Sequence, residues 1–246
     1  MNIKVIDISY AQSLVDFEKV KKSGVSAVII RTGYLGKTDT SFHSHITAAI
    51  EAGLDIGVYT YIMGNNAAET AQEAEETINR IAQYKGHINY PVFCDMEDKK
   101  YFGLRYDPKI RTDMIEAFCN TVNGAGYYPA VYINPGWLNY YTEKDRIIGK
   151  YDIWLAAWTE SPFVPTRYDF GQTMWQWGSE KTDGIAGKTD SNICYTDYPA
   201  LIKSKGKNFL GNNCLITAEK HIAYSETDNC IKRLEAMGFT VKTKCK

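Results

Sequence analysis

Two rhythms of polar and apolar positions alternate along this chain. Short apolar runs with strand spacing trade places with longer segments whose apolar residues recur every three to four positions. "IKVIDIS" is the first apolar run, and "SLVDFEKVKKSG" follows with helical spacing, Ser13 as its expected N-cap and Gly24 at its stop. "SAVIIRTGY" reads as the second strand, and "FHSHITAAIEAG", closed by Gly53, as the second helix. "DIGVYTYIM" is the third strand. A long amphipathic helix then runs through "AAETAQEAEETINRIAQYKG", acidic early and with Lys85 at its end, as the helix dipole prefers. "YPVFCDMED" is the fourth strand, followed by the helix "DPKIRTDMIEAFCNTVNGAG", capped by Asp107 with Pro108 in its first turn. "PAVYIN" is the fifth strand. From there the helices dwindle: "DIWLAAW" and "TMWQWG" are strands with little helix between them, and "SNICY" is an eighth.

Apolar strands flanked by helices indicate a parallel sheet covered on both faces. About eight of them in residues 1–205 predict a single TIM-like β/α barrel whose outer helices are missing or shortened in its second half. An open doubly wound sheet is the runner-up, but no Gly-rich phosphate fingerprint follows the first strand, whose exit reads "DISYAQ". Residues 206–246 leave the barrel pattern and predict a small C-terminal α+β extension. "SETDNCIKRLEAMG" reads as a short helix opened by Ser225 and Asp228, "FTVKTK" as an edge strand, and "NCLITAEK" as its pairing partner.

Functional side chains of a parallel barrel come from the C-terminal ends of its strands. Those ends carry Asp7, Arg31, Tyr59 and Tyr61, then Asp95 and Glu97, Tyr132 and Asn134, Trp154 and Trp158, and Trp175 and Trp177. Asp190 lies just before the last strand. Together they describe a cleft for a polymer of sugars, acidic at its floor and aromatic on its walls. Asp95 and Glu97 are two residues apart, so they share one face of their strand while Met96 points to the other. Cleaving a glycosidic bond needs a protonated acid at the leaving oxygen and a carboxylate that stabilises or captures the oxocarbenium-like centre. Crowded carboxylates supply both states, because the charge on one raises the pKa of the other. Glu97, with the longer reach, is the expected acid, and Asp95 the ionised partner. An ion pair with Arg or Lys at the barrel mouth is the structural alternative. Asp98 reads as a solvated loop residue or helix cap. Asp7 stands between a structural carboxylate bonded to backbone N–H groups and a direct catalytic role, and Asp190 with Asn192 reads equally as a turn. Spacing leaves the stereochemistry open: Cα atoms two apart on a strand are ~6.5–7 Å from each other, which spans both the retaining and the inverting separations.

Composition narrows the field. A net charge of −1 argues against a nucleic-acid partner held through phosphates. The 18 Tyr, 9 Phe and 5 Trp supply platforms for sugars as well as core. No apolar stretch has the length of a membrane span, and the chain opens directly in a strand, so no signal peptide and no membrane partner are expected; secretion of a longer form or release by lysis would bring it to a wall. The six cysteines form no CxxC pair and no ligand spacing, so neither a metal nor a cofactor is expected. Cys94 and Cys119 read as small buried hydrophobes, while pairing among Cys194, Cys214, Cys230 and Cys245 stays open. Residues 206–246 carry +3 and the remainder −4. That balance fits a module binding anionic wall polymers, a self-associating segment, or an extension packed on the barrel.

"VIDISYAQ", "AGLDIGVYTY", "PVFCDMED", "DIWLAAW", "MWQWGS" and "GIAGKTDSN" stand in the order of the motifs of glycoside hydrolase family 25, the lysozymes (N-acetylmuramidases) of bacterial, phage and fungal origin. The chain resembles that family over residues 1 to about 205. The DxE ending the fourth strand, paired with a DxS near the N-terminus, is fairly specific in this order. The resemblance implies a β/α barrel that hydrolyses the β-1,4 bond between N-acetylmuramic acid and N-acetylglucosamine in peptidoglycan. It places the general acid on Glu97 and its partner on Asp95, which orients or activates the 2-acetamido group of the substrate, with retention of configuration. It places further acids on Asp7 and Asp190, and groove-lining positions on Tyr59, Tyr61, Tyr132 and Trp177. Two departures concern substrate detail: Thr60 where many members carry His, and Ser191 in place of an aliphatic residue. A carbohydrate-binding pseudoenzyme, or a glycosidase acting on another N-acetylated glycan, is the alternative. A chitinase is discounted because Phe93 stands where its DxxDxDxE motif needs an acid.

Overall fold

The computed structural model describes residues 2–34, 36–97, 107–210 and 231. Asp98, the tail helix apart from Ile231, the tail strands, and Cys214, Cys230 and Cys245 lie outside the described residues. Eight strands close into a barrel: β1 (Ile3–Ile8), β2 (Ala27–Tyr34), β4 (Asp55–Tyr61), β5 (Val92–Asp95), β6 (Pro129–Ile133), β7 (Asp152–Ala156), β8 (Met174–Lys181) and β9 (Lys188–Cys194). The two-residue β3 (Lys37–Thr38) is a hairpin appended to β2. The helices α1 (Phe17–Lys22), α2 (Phe42–Glu51), α3 (Ala67–Ile81) and α4 (Pro108–Gly124) follow the first four barrel strands, as the periodicity predicts. Between β6 and β7 only single turns remain, at Trp137–Tyr141 and Lys144–Arg146. A further helix, α5 (Tyr198–Ser204), follows β9.

Two local expectations change. Asp16, not Ser13, caps α1, its Oδ1 accepting from the Lys19 N–H at 3.1 Å. Asp107 does cap α4, with Pro108 next to it. The eighth barrel strand is antiparallel to both neighbours, β8 and β1, and starts at Lys188, so that Asp190 lies within it. The reason is the connection: β8 and β9 are joined by a short turn over residues 182–187, too short for the crossover that a parallel pair requires.

That reversal positions the site. The N-terminal part of β9 reaches the rim formed by the C-terminal ends of the other strands, and Asp190 comes directly opposite Asp7. The other end of β9 leads into α5, which drives Tyr198 and Ile202 into the apolar interior of the barrel beside Tyr90 and Cys194. Strand alternation sorts the core into two layers. Val5, Ile29, Phe93, Trp154 and Met174 fill the barrel, while Ile6, Ile30, Cys94, Met96 and Trp175 pack outward with the helices. Gly57 has no room for a side chain, since a Cβ there would lie 2.7 Å from Ile29 Cδ1 and 2.8 Å from Tyr90 Cβ. The barrel belongs to a compact unit spanning Met1–Asn212. Asn208, fully buried with a left-handed φ of 55°, holds its end: the amide nitrogen donates to the carbonyls of Ile88 (3.1 Å) and Tyr90 (3.0 Å), and Oδ1 accepts from the Tyr128 N–H (2.7 Å).

Candidate active site

β5 carries Phe93 and Asp95 on its inner face and Val92, Cys94 and Met96 on its outer face. Asp95 is buried at 3% exposure, at the level of Tyr61 on β4 and Tyr132 on β6, its register partners. Glu97, just past the strand, is half-buried. Its charge acts on both Asp7 and Tyr132. Burial pushes the Tyr132 phenol well up, and the charges of Glu97, Asp95 and Asp7 push it further. Tyr59 is raised by burial and then by Asp7 and Asp95. Acids from β1, β5 and the segment after β5 thus lie within electrostatic reach of Tyr132, and those from β1 and β5 also reach Tyr59. Asp190 joins them from β9, since its charge acts on Asp7.

Asp7 is strongly perturbed. Burial and the Asp190 charge raise its carboxyl to about 7, against the pull of hydrogen bonds from Asn192 and Gln176. Two carboxylates directly opposite in an antiparallel pair repel, which favours a proton on one of them. Burial raises Asp190 as well. A wall of rings backs the acids: Trp154 lies edge-on to Tyr132 (4.5 Å between centroids), Phe93 (4.9 Å) and Tyr59 (6.1 Å). Beside them a cleft of about 500 Å³ opens between Pro135 and Gly136 after β6, Trp158 and Thr159 after β7, and Arg167 and Tyr168 in the β7–β8 loop. Trp158 is 60% exposed and donates its indole N–H to Gln176 Oε1 at 2.9 Å.

The structure gathers Asp7, Asp95, Glu97, Asp190, Tyr59 and Tyr132 on one rim, with Tyr61 at the same level and Trp158 at its edge, while Trp154, expected in the groove, is buried in the barrel interior beneath them. Other residues named from the sequence have different surroundings. Arg31 is held by Asp39, at 2.8 Å from both Nε and Nη2, between the rings of Tyr10 and Tyr34. Asn134 accepts the Trp137 N–H at 3.0 Å and so caps the turn after β6. Trp175 and Trp177 both belong to the outer layer, Trp175 with its indole N–H on the Ala157 carbonyl at 2.8 Å. Gln176, between them, points inward. It is the residue that sequence reasoning passed over as a member of the site, while Asn192, weighed with Asp190 as equally a turn, is the second amide that reaches Asp7. The signal was present: two tryptophans two apart share a face, so the residue between them takes the other.

Residues 6–185 match the family model of glycosyl hydrolases family 25. An autolytic lysozyme of Clostridium acetobutylicum is 38% identical over 191 residues, covering 76% of this chain and 54% of the relative. Among solved structures, the modular autolysin LytC from Streptococcus pneumoniae, in complex with a synthetic peptidoglycan ligand, superposes with a TM-score of 0.69 at 29% identity, over 79% of this chain and 47% of LytC. A bacterial lysozyme from Streptomyces coelicolor, at 21% identity, has the same fold, with a TM-score of 0.66 over 82% of this chain and 96% of that one. The chain spans about half the length of the first two proteins.

Proposed function

This chain belongs to glycosyl hydrolases family 25, and we propose that it hydrolyses the β-1,4 bond between N-acetylmuramic acid and N-acetylglucosamine in bacterial peptidoglycan. The observation that carries the reading is the rim itself: Asp95 inside the end of β5, Glu97 next to it, and Asp7 and Asp190 across from each other nearby, all backed by aromatic rings. Glu97 is assigned the proton that the leaving oxygen receives, and later the proton of the attacking water. Asp95, buried and aimed into the barrel, is assigned the orientation of the 2-acetamido group, whose carbonyl oxygen then stabilises the anomeric centre in place of a protein nucleophile. That route gives retention. Tyr59, Tyr61, Tyr132 and Trp158 would hold the sugar rings.

Clearing of a suspension of bacterial walls by wild type and by Glu97→Gln tests this. The expected outcome is clearing by wild type and a loss of at least about 100-fold in the variant, the scale of a lost general acid. Equal clearing by both removes Glu97 from the role of acid. Absence of clearing by both, with wall binding retained, moves the carbohydrate-binding alternative ahead. Residues 206–246, with their net charge of +3, are read as a wall-binding or self-associating module.

A further inference from the structure

Two buried amides meet a single oxygen of Asp7. Gln176 Nε2 donates to Oδ2 at 3.1 Å, and Asn192 Nδ2 donates to the same oxygen at 2.9 Å. Neither amide is free to turn over. The Gln176 carbonyl oxygen accepts the Tyr132 hydroxyl at 3.0 Å and the Trp158 indole N–H at 2.9 Å. The Asn192 carbonyl oxygen accepts the Trp154 indole N–H at 2.7 Å. An indole N–H only donates, so the amide atom that it meets must be oxygen, and the NH2 end is left facing the carboxyl group. Asn192 Nδ2 is further tied to the Val5 carbonyl at 3.3 Å.

A carboxyl oxygen that already receives two N–H donors cannot also carry a proton without setting hydrogen against hydrogen. We infer that Gln176 and Asn192 are positioning residues of the hydrolytic reaction, which confine any proton on Asp7 to Oδ1 and so aim it into the acid cluster. The inference rests on the hydrolytic reading above. The ionisable groups acting on Asp7 are Asp190 from β9 and Glu97 beyond β5, while its own charge acts on the phenols of Tyr59 from β4 and Tyr132 from β6. In this setting the two amides do two things. They favour the ionised form of Asp7 against burial and its acidic neighbours, and they decide which oxygen is protonated when it is not ionised. Asp7, faced by the Asp190 charge, can then carry a proton on a defined oxygen, beside the acid that protonates the leaving oxygen of the glycan. Trp158 links this device to the cleft, because the same indole borders the cleft and fixes the Gln176 amide.

Carbon-13 NMR of the aspartate carboxyls, with the Asp7 signal identified by its loss in Asp7→Asn, reads the titration directly. In Gln176→Met, which removes the donor without adding charge, the Asp7 titration is expected to move up by about one pH unit. The corresponding ionisation in kcat/KM on walls should move the same way. If Gln176→Met does not fold, Trp158→Phe carries the test. Its ring is 60% exposed, it removes one of the two donors that fix the amide, and it should raise the same titration by a smaller amount. An Asp7 titration that stays where wild type has it, in whichever of these variants folds, overturns the inference. A wild type that clears no walls overturns the hydrolytic reading instead, and the NMR titration still decides whether the amides act on Asp7.

Discussion

At the scale of single residues, Asp7 carries the most chemistry for its size. It ends a buried strand opposite a second carboxylate, and burial together with that neighbour raises its ionisation from 3.8 to about 7. An acid raised in the folded state stabilises the fold only while protonated. Its contribution is complete below pH about 4 and is lost as pH rises through about 7. Wild type is therefore expected to lose stability relative to Asp7→Asn across that window, by at most about 1.4 kcal/mol per pH unit. Urea unfolding of both proteins at several pH values checks this, and a difference that stays constant, or that grows toward acid, would contradict it. Asp7, Asp95 and Glu97 were legible as candidates because acids at the ends of apolar strands are conspicuous. Gln176 was not, because a neutral amide between two tryptophans attracts no attention until the tryptophans are seen to face outward.

At the scale of elements, the barrel is tied to its helical coat by a buried chain of hydroxyls. Thr32 on β2 bonds Thr60 on β4 at 2.7 Å, Thr60 bonds Thr77 on α3 at 2.6 Å, and Thr77 donates to the Glu73 carbonyl at 2.7 Å. Thr60 thus faces α3, not the groove lined by its neighbours Tyr59 and Tyr61. Thr60→Val keeps the shape and breaks the chain in the middle, so it should cost about 1–3 kcal/mol, the penalty for leaving buried hydroxyls short of a partner. Thermal unfolding reads the loss, and KM for walls should hardly change. A raised KM with intact stability would place position 60 in the groove after all. Helix order and strand order followed from hydrophobic period. The direction of β9 did not, since a seven-residue strand reads the same whether it pairs parallel or antiparallel.

At the scale of the whole molecule, the compact unit that holds the site ends at Asn212, and Asn208 within it ties the segment after α5 to the loops ahead of β5 and β6. A chain cut after Asn212 keeps that anchor, whereas one cut at residue 205 loses it. The longer truncate is expected to clear walls at a rate close to that of the full chain under low salt and to bind intact walls more weakly, by pull-down. Unchanged binding would end the wall-binding reading of the tail. Among the described residues, no helix is long and apolar enough to cross a membrane.

The sequence by itself determined the alternation of strands and helices, the thinning of helices after the fifth strand, and the placing of paired acids at the end of an apolar strand. These are local properties, written in the spacing of apolar residues within a few turns or pleats. Tertiary structure alone decided that β9 runs backwards, so that Asp190 comes to face Asp7, and that Asn192 and Gln176 converge on one carboxylate oxygen from 185 and 169 residues away. Such meetings depend on barrel closure and register, and a single strand's sequence specifies neither until its neighbours are in place.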